Sequence, residues 1–127
     1  MTKKEIIQSY ITQAKNHKKT AQDLFSLHHY DWCLFLWHLT IEKLLKALIL
    51  SQGKDLIYVH DLIKLFKRTG LTQTEEITAN LNEISSYNIE ARYDDYKHAF
   101  YKKTSLSYSK KWIKICEEIY SLLLKST

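Results

Sequence analysis

The chain has 127 residues, 45% of them hydrophobic, which predicts one folded domain spanning residues 1–127 and excludes wholesale disorder. Proline is absent and there are two glycines, so collagen-like sequences, proline-rich linkers and a turn-rich β-sandwich are excluded as well. Nineteen basic residues oppose fourteen acidic ones, which gives a formal net charge of +5.

The first two predicted elements are long helices. Between Lys3 and about Leu27, core-type side chains recur every three or four positions, and Thr2 is placed to cap the helix. The second helix is predicted to begin at a cap on Asp31 and to run to about Gln52. Its apolar residues form two adjacent stripes, a pattern typical of the central helix of a bundle.

Shorter helices follow. Asp61 is predicted to cap a third helix that Gly70 ends, and Thr72 to cap a fourth. Residues 87–95 are predicted to be an irregular junction. The last helix carries an apolar stripe that, extended backwards, would turn His98 toward the bundle or a partner subunit. No segment resembles a strand, so the predicted fold is all-α, an up-and-down bundle of four to five helices.

Location in the cell is predicted from the apolar segments and the cysteines. The longest apolar-rich segment, residues 32–50, contains charged side chains, so it is predicted to be a buried helix and not a membrane span. The N-terminus lacks the apolar run of a secretory signal. Cys33 and Cys116 lie in apolar helical patterns and are expected to be reduced core residues. We therefore expect a cytoplasmic protein without membrane contact.

The excess positive charge is confined to one segment. Residues 92–114 contain seven basic and two acidic side chains, while the remaining residues sum to zero, and aromatic residues are interleaved with the cations. Since cations neutralise phosphate and rings stack on bases, this pattern predicts a nucleotide or RNA site. The alternative is a solvated helix face whose aromatic residues belong to the core. The candidate binding residues are Arg92, Tyr96, Lys97, Tyr101, Lys102 and Lys103.

Four polar residues outside that segment are predicted to have structural roles. His38 and Glu42 are four positions apart and share one face of the second helix, in an otherwise apolar stripe. A buried carboxylate needs a partner, and we expect His38 or a basic residue from another helix, such as Arg92, to provide it. The alternative, a general-base pair, has no further support in the sequence. His60 precedes the capping residue Asp61 and is expected to bond a helix terminus or a neighbouring loop.

Arg92 and His98 are the candidate catalytic residues. An arginine holds phosphate and a histidine transfers protons, so the two together can serve RNA cleavage. The alternative is local, with His98 paired to Asp94 or Asp95 and Arg92 anchoring the junction. The six histidines form no recognised ligand spacing with Cys, Asp or Glu, so neither a metal site nor a cofactor is predicted.

Four segments have a specific order and spacing: residues 41–50 (IEKLLKALIL), 60–62 (HDL), 87–93 (YNIEARY) and 96–103 (YKHAFYKK). Together, from about Gln13 to Leu124, they resemble the HEPN domain of prokaryotes. The resemblance implies a helical bundle that is usually a homodimer. Some members are RNA-cleaving toxins with an Arg-x(4–6)-His motif, which Arg92 and His98 match, and many small members accompany a minimal nucleotidyltransferase.

The predicted function follows from the resemblance and the charge together. Tyr93 stands where the catalytic members usually carry a polar residue, and Asp94 where the most similar subgroup carries proline. We therefore predict a nucleotide- or RNA-associated binding protein, the partner subunit of a minimal nucleotidyltransferase in a toxin–antitoxin-like system. Two alternatives stay open: a metal-independent endoribonuclease toxin using Arg92 and His98, and a non-catalytic accessory bundle.

Overall fold

The computed structural model describes all 127 residues and contains six α-helices and no strand. The all-α prediction is confirmed, with one helix more than expected. The elements are α1 (Lys3–Ser26), α2 (Tyr30–Ser51), α3 (Leu62–Thr69), α4 (Glu75–Glu90), α5 (Asp94–Lys103) and α6 (Leu106–Ser126). No helix has the length and apolar character that crossing a membrane requires.

Helix α2 is the centre of the bundle and packs against α1, α3, α4 and α6. Thirteen of its 22 residues are buried, which is why its apolar residues cover two stripes of its circumference and not one. The largest of them, Trp37, is 1% exposed and meets Tyr120 of α6 edge to face, with ring centroids 6.3 Å apart. Cys33 and Cys116 are both buried free thiols in this core, as expected.

Three of the predicted helix boundaries are confirmed. The Thr2 side chain accepts a hydrogen bond from the backbone N–H of Glu5 at the start of α1. Asp61 caps α3, where its carboxylate accepts from two backbone N–H groups of the first turn. Gly70 ends α3 in the left-handed region at φ 71°, a conformation that glycine adopts without steric cost.

Two predicted caps are wrong. Helix α2 begins at Tyr30, with His29 at the cap position and no side-chain hydrogen bond there, so Asp31 lies within the first turn. Its negative charge is still favourable there, because the helix dipole is positive at this end. Helix α4 is capped by Thr74 and not Thr72, since it is the Thr74 hydroxyl that accepts from a first-turn N–H.

The predicted irregular junction is mostly helical, which changes the last third of the fold. Helix α4 continues to Glu90 and α5 starts at Asp94, so only residues 91–93 separate them. The chain then turns at Thr104, where ψ is 61°, and Ser105 caps a separate α6 by accepting from the N–H of Tyr108. The last helix therefore does not extend backwards through His98, which is exposed on α5.

Candidate functional site

Helix α5 is attached to the bundle by one buried side chain. Of its ten residues only Phe100 is buried, at 2% exposed, and its ring packs on Tyr87 of α4 with centroids 5.3 Å apart. Apart from Phe100 and the half-buried Lys103 at its C-terminal end, the helix presents its side chains to the outside. The helix has one buried apolar residue and no continuous apolar stripe. The remaining exposed surface is available for contacts with another molecule.

Exposed aromatic rings and cations alternate on this surface. Tyr93, Tyr96 and Tyr101 are 54%, 52% and 66% exposed. Two of the three lysines on the helix carry little internal pairing. Lys97 meets only Asp94, at 3.5 Å, in a pair that is itself well exposed, and Lys102 forms no ion pair. We call this set the α5 surface; its members are Arg92, Tyr93, Tyr96, Lys97, Tyr101 and Lys102.

Arg92 lies just beyond the end of α4 and holds its guanidinium outward. Its Nε donates to the carbonyl oxygen of Asn88, at 2.8 Å, and the group lies 5.7 Å from the centre of the Tyr93 ring. The two terminal nitrogens donate to no group of the chain. Arg92 forms no ion pair with Glu42, so of the two partners predicted for that buried carboxylate only His38 lies near it, at 3.8 Å.

His98 is exposed on α5 and forms no hydrogen bond or ion pair within the chain. The predicted local pairing with Asp94 or Asp95 is therefore absent, and Asp94 contacts Lys97 instead. Arg92 and His98 are both accessible, but nothing in the chain fixes the imidazole of His98 relative to the guanidinium.

Lys103, the remaining predicted binding residue, belongs to an internal network. Its ammonium lies 2.8 Å from a carboxylate oxygen of Glu83 and 3.5 Å from one of Glu90. Glu83 also accepts from the hydroxyl of Tyr108, whose oxygen is 2.7 Å from that of Tyr87. Burial opposes the ionisation of Glu83, but the hydrogen bonds from Lys103 and Tyr108 hold its pKa below the usual value. The charge of Lys103 is thus already matched, which distinguishes it from Lys97 and Lys102.

A second polar cluster lies in the middle of α2. Glu42 is 2% exposed, and the ammonium of Lys46 lies 3.0 Å from its Oε2. The Nδ1 of His60 is 3.1 and 3.2 Å from its two oxygens. Burial raises the pKa of Glu42, but Lys46, His38 and His60 more than offset this and lower it below its usual value. Glu42 is therefore a buried, ionised and compensated carboxylate.

Each histidine of this cluster has a definite partner. The Nε2 of His38 lies 3.4 Å from the carbonyl oxygen of His60 and 3.8 Å from Glu42. Burial lowers the pKa of His38 to about 4, so its ring is neutral near pH 7. The interpretation of His60 as a residue that bonds a helix end or a loop is wrong, because it bonds the side chain of a residue in mid-helix. Sequence analysis also missed Lys46, although its i+4 spacing from Glu42 is a usable signal.

No group of three or more His, Cys, Asp or Glu side chains is arranged to hold a metal ion.

The model of the HEPN domain family matches residues 7–126 of the chain, which supports a role related to nucleotides or RNA. The crystal structure of TT1696 from Thermus thermophilus is similar over 95% of this chain and 98% of that chain, with a TM-score of 0.82 and 19% identity. At that identity the likeness establishes the fold. No curated protein sequence matches the chain.

Proposed function

Since the chain belongs to the HEPN domain family, we propose that it is a binding subunit for single-stranded RNA or nucleotides and that the α5 surface is its binding site. One observation carries this proposal. Three tyrosines that are each more than half exposed lie among unpaired or weakly paired cations, at the start of α5 and along it, and Phe100 is the one buried side chain of that helix.

The physical argument rests on what such a surface recognises. Large exposed aromatic rings contribute little to the stability of the isolated chain, but each offers a face on which a base can stack, worth about 1–3 kcal/mol per base. Lysine and arginine neutralise the phosphates between the bases. None of the larger pockets of the chain is lined by a member of the α5 surface, so we expect binding that tolerates different base sequences.

The proposal includes two protein partners, which rest on the family resemblance. A second copy of the chain would form a homodimer, and a minimal nucleotidyltransferase would be the other component of the system. The segment that carries the subgroup resemblance, residues 91–97, contains four of the six members of the α5 surface, Arg92, Tyr93, Tyr96 and Lys97. Light scattering on the purified chain tests the first partner, and co-purification with the product of any adjacent nucleotidyltransferase gene tests the second.

Binding is tested by fluorescence anisotropy with a labelled single-stranded RNA in a buffer that contains EDTA. Replacing Tyr101 with alanine should weaken affinity about 5- to 150-fold, the equivalent of one lost base stack. The matched control is Tyr58→Ala, because Tyr58 is 90% exposed but lies in the loop between α2 and α3. Equal losses in both variants, or no loss in either, would contradict the assignment of the site.

The lysines are tested by the dependence of affinity on salt. If Arg92, Lys97 and Lys102 each neutralise one phosphate, the slope of log K against log salt should be about −2, since a single-strand contact contributes about −0.7. Lys97→Ala should then make the slope shallower by about 0.7, while Lys15→Ala, an exposed lysine of α1, should leave it unchanged. A slope near zero for the wild-type chain would favour the accessory-bundle alternative.

A second candidate function is metal-independent RNA cleavage by Arg92 and His98. It is favoured by the free terminal nitrogens of Arg92 and by the unpaired, exposed ring of His98. The same RNA, incubated with excess protein and analysed by electrophoresis, distinguishes the two functions. Cleavage that is lost in both Arg92→Ala and His98→Ala, with helical circular dichroism retained, would support the endoribonuclease.

A further inference from the structure

A cavity of about 400 Å³ opens between α1, α2 and α6, and no member of the α5 surface lines it. It exists because α1 packs against α2 through small side chains. The two buried residues of α1 are the alanines Ala14 and Ala21, so the two helices lie close together, while α1 has no comparable contact with α6. Ala21 lines the cavity, and its methyl group leaves the space between α1 and α6 unfilled.

The walls of this cavity are mainly apolar. Five hydrophobic side chains from all three helices form them: Ala21 and Phe25 of α1, Cys33 and Trp37 of α2, and Ile113 of α6. Cavities of about 300–1,000 Å³ with such walls and a small number of polar groups are the usual form of a site for a small organic ligand. Because two of the walls are aromatic rings, a flat apolar ligand is the shape that they favour.

A buried nitrogen donor at the cavity has no acceptor. Trp37 is 1% exposed, and its indole N–H donates to no group of the chain. The two unpartnered polar side-chain atoms that the fold shields completely belong to His38 and Ser109, so the indole nitrogen keeps access to the cavity that its ring lines. Since a buried indole N–H usually has a hydrogen-bond partner, this donor favours a ligand that brings an acceptor into the cavity.

The mouth of the cavity carries one positive and one negative side chain. Lys110 and Glu117 both lie on α6, are exposed, and form no ion pair within the chain. They are seven positions apart, which is about 10.5 Å along a helix, so a ligand that bonds both must be elongated. Trp37 contacts Tyr120, less than one turn beyond Glu117, so the indole lies at the Glu117 end of the cavity.

From these observations we propose that the cavity binds a flat, elongated aromatic carboxylate that carries a hydroxyl group at its far end. The aromatic body covers the apolar walls and removes them from water. The ammonium of Lys110 donates to the ligand carboxylate at one end. At the other end the ligand hydroxyl donates to Glu117, and its oxygen accepts from the indole N–H of Trp37. The site is separate from the α5 surface and does not depend on the binding of RNA there.

The experiment titrates the full chain with 6-hydroxy-2-naphthoate and follows the tryptophan indole N–H signals by proton–nitrogen correlation NMR. The chain has three tryptophans, and the variants Trp32→Phe and Trp112→Phe identify the signal of Trp37 by elimination. We expect the Trp37 signal to shift saturably, with a Kd below about 1 mM, the value that the usual binding free energy per atom gives for a ligand of this size. The other two signals should shift less.

Two variants test the shape and the charge of the site. Ser26→Phe fills the mouth of the cavity and should abolish the saturable shift, whereas Thr20→Phe, at an exposed position of α1 that does not line it, should not. Lys110→Met should weaken the acid about fivefold, the contribution of an exposed ion pair, and leave 2-naphthol, which lacks the carboxylate, unchanged. Lys111→Met, the exposed neighbour on α6, is the control and should change neither affinity.

Three results would overturn the inference. The first is the absence of a saturable shift, and the second is a shift confined to Trp32 or Trp112, which would place the ligand elsewhere. The third is a shift of Trp37 that survives Ser26→Phe with helical circular dichroism retained; if that variant does not fold, Gln22→Phe, at the same edge of the cavity, replaces it. RNA binding at the α5 surface should be the same with and without the ligand, so each proposal can fail alone.

Discussion

The buried charge of Glu42 offers the sharpest test of how α2 is stabilised. Replacing Lys46 with methionine keeps the apolar stem but removes the ammonium that lies 3.0 Å from Glu42. Both side chains are at least nine-tenths buried, so the remaining carboxylate is left without its main compensation. Removing one partner of a buried pair costs about 3–5 kcal/mol. For a chain of 127 residues, unfolding entropy of about 0.27 kcal/mol/K converts a loss of about 3 kcal/mol into a fall in Tm of about 11 °C.

The double variant Glu42→Gln/Lys46→Met separates lost charge compensation from lost packing. Once both charges are gone, no ion is left buried, and such replacements are often neutral or stabilising. We expect its free energy of unfolding, from urea titration followed by circular dichroism, to recover to within about 1 kcal/mol of wild type. Lys64→Met, at an exposed position of α3, is the control and should change it by less than about 0.5 kcal/mol.

The pair of Glu42 and Lys46 also predicts how the stability of the chain depends on pH. In the wild-type chain the pKa of Glu42 is lower folded than unfolded, so its stabilisation is present above the unfolded pKa and is lost as pH falls through the folded value. In Lys46→Met, burial prevails and the folded pKa rises, so the sign reverses. The gap between wild type and variant should be widest near pH 7 and shrink in acid. The reasoning would be refuted if Lys46→Met had the same free energy of unfolding as wild type, or if the double variant were no more stable than Lys46→Met.

Three further predictions concern the rest of the bundle. Tyr108→Phe removes the hydroxyl that donates to Glu83 and should lower the free energy of unfolding by about 1–3 kcal/mol, measured by urea titration, because an ionised acceptor loses its donor. Asp61→Ala removes the cap of α3 and should lower it by about 1 kcal/mol in the same assay, with Asp61→Asn close to wild type. Burial raises the pKa of Cys33 to about 12 and that of Cys116 well above its usual range, so both thiols should react with a thiol reagent only at the rate of unfolding; rapid labelling of the native chain would contradict their burial.

The elements that could be predicted from the sequence are those in which packing leaves a periodic signal. Helix α2 buries thirteen residues, so its apolar stripes repeat often enough to be recognised. Helix α5 buries only Phe100, and a single buried residue cannot produce the repeating apolar spacing by which a helix is recognised. For that reason the sequence pattern indicates an irregular junction where the chain is helical. The break at Thr104 leaves no mark in the periodicity, although Ser105 is a residue type that commonly caps a helix.

The candidate site could be predicted only where its chemistry is local. The alternation of tyrosines and cations from Arg92 to Lys102 can be recognised from the sequence alone. These residues are close together along the chain and exposed, so no tertiary contact has to be known to find them. The pairing of Glu42 with Lys46 could also be predicted, because the two residues are four positions apart in one helix. The pairing with His60 could not, because His60 is 18 positions from Glu42 along the chain. Its contact depends on how the loop before α3 returns to α2, which is a property of tertiary packing and has no local pattern.

Internal ion pairing decides which of the basic residues remain free to bind a ligand. Lys103 contributes to the charge count of the segment, yet Glu83 and Glu90 already match it. The sequence predicts His38 or a basic residue of another helix, such as Arg92, as the partner of Glu42. In the structure Lys46 and His60 lie closest to that carboxylate, His38 is 3.8 Å away, and Arg92 forms no ion pair with it. Glu42 is thus compensated by one residue of α2 and one of the loop before α3, and it needs no further partner from Arg92. The terminal nitrogens of Arg92 therefore stay free for the phosphate binding that we propose for the α5 surface.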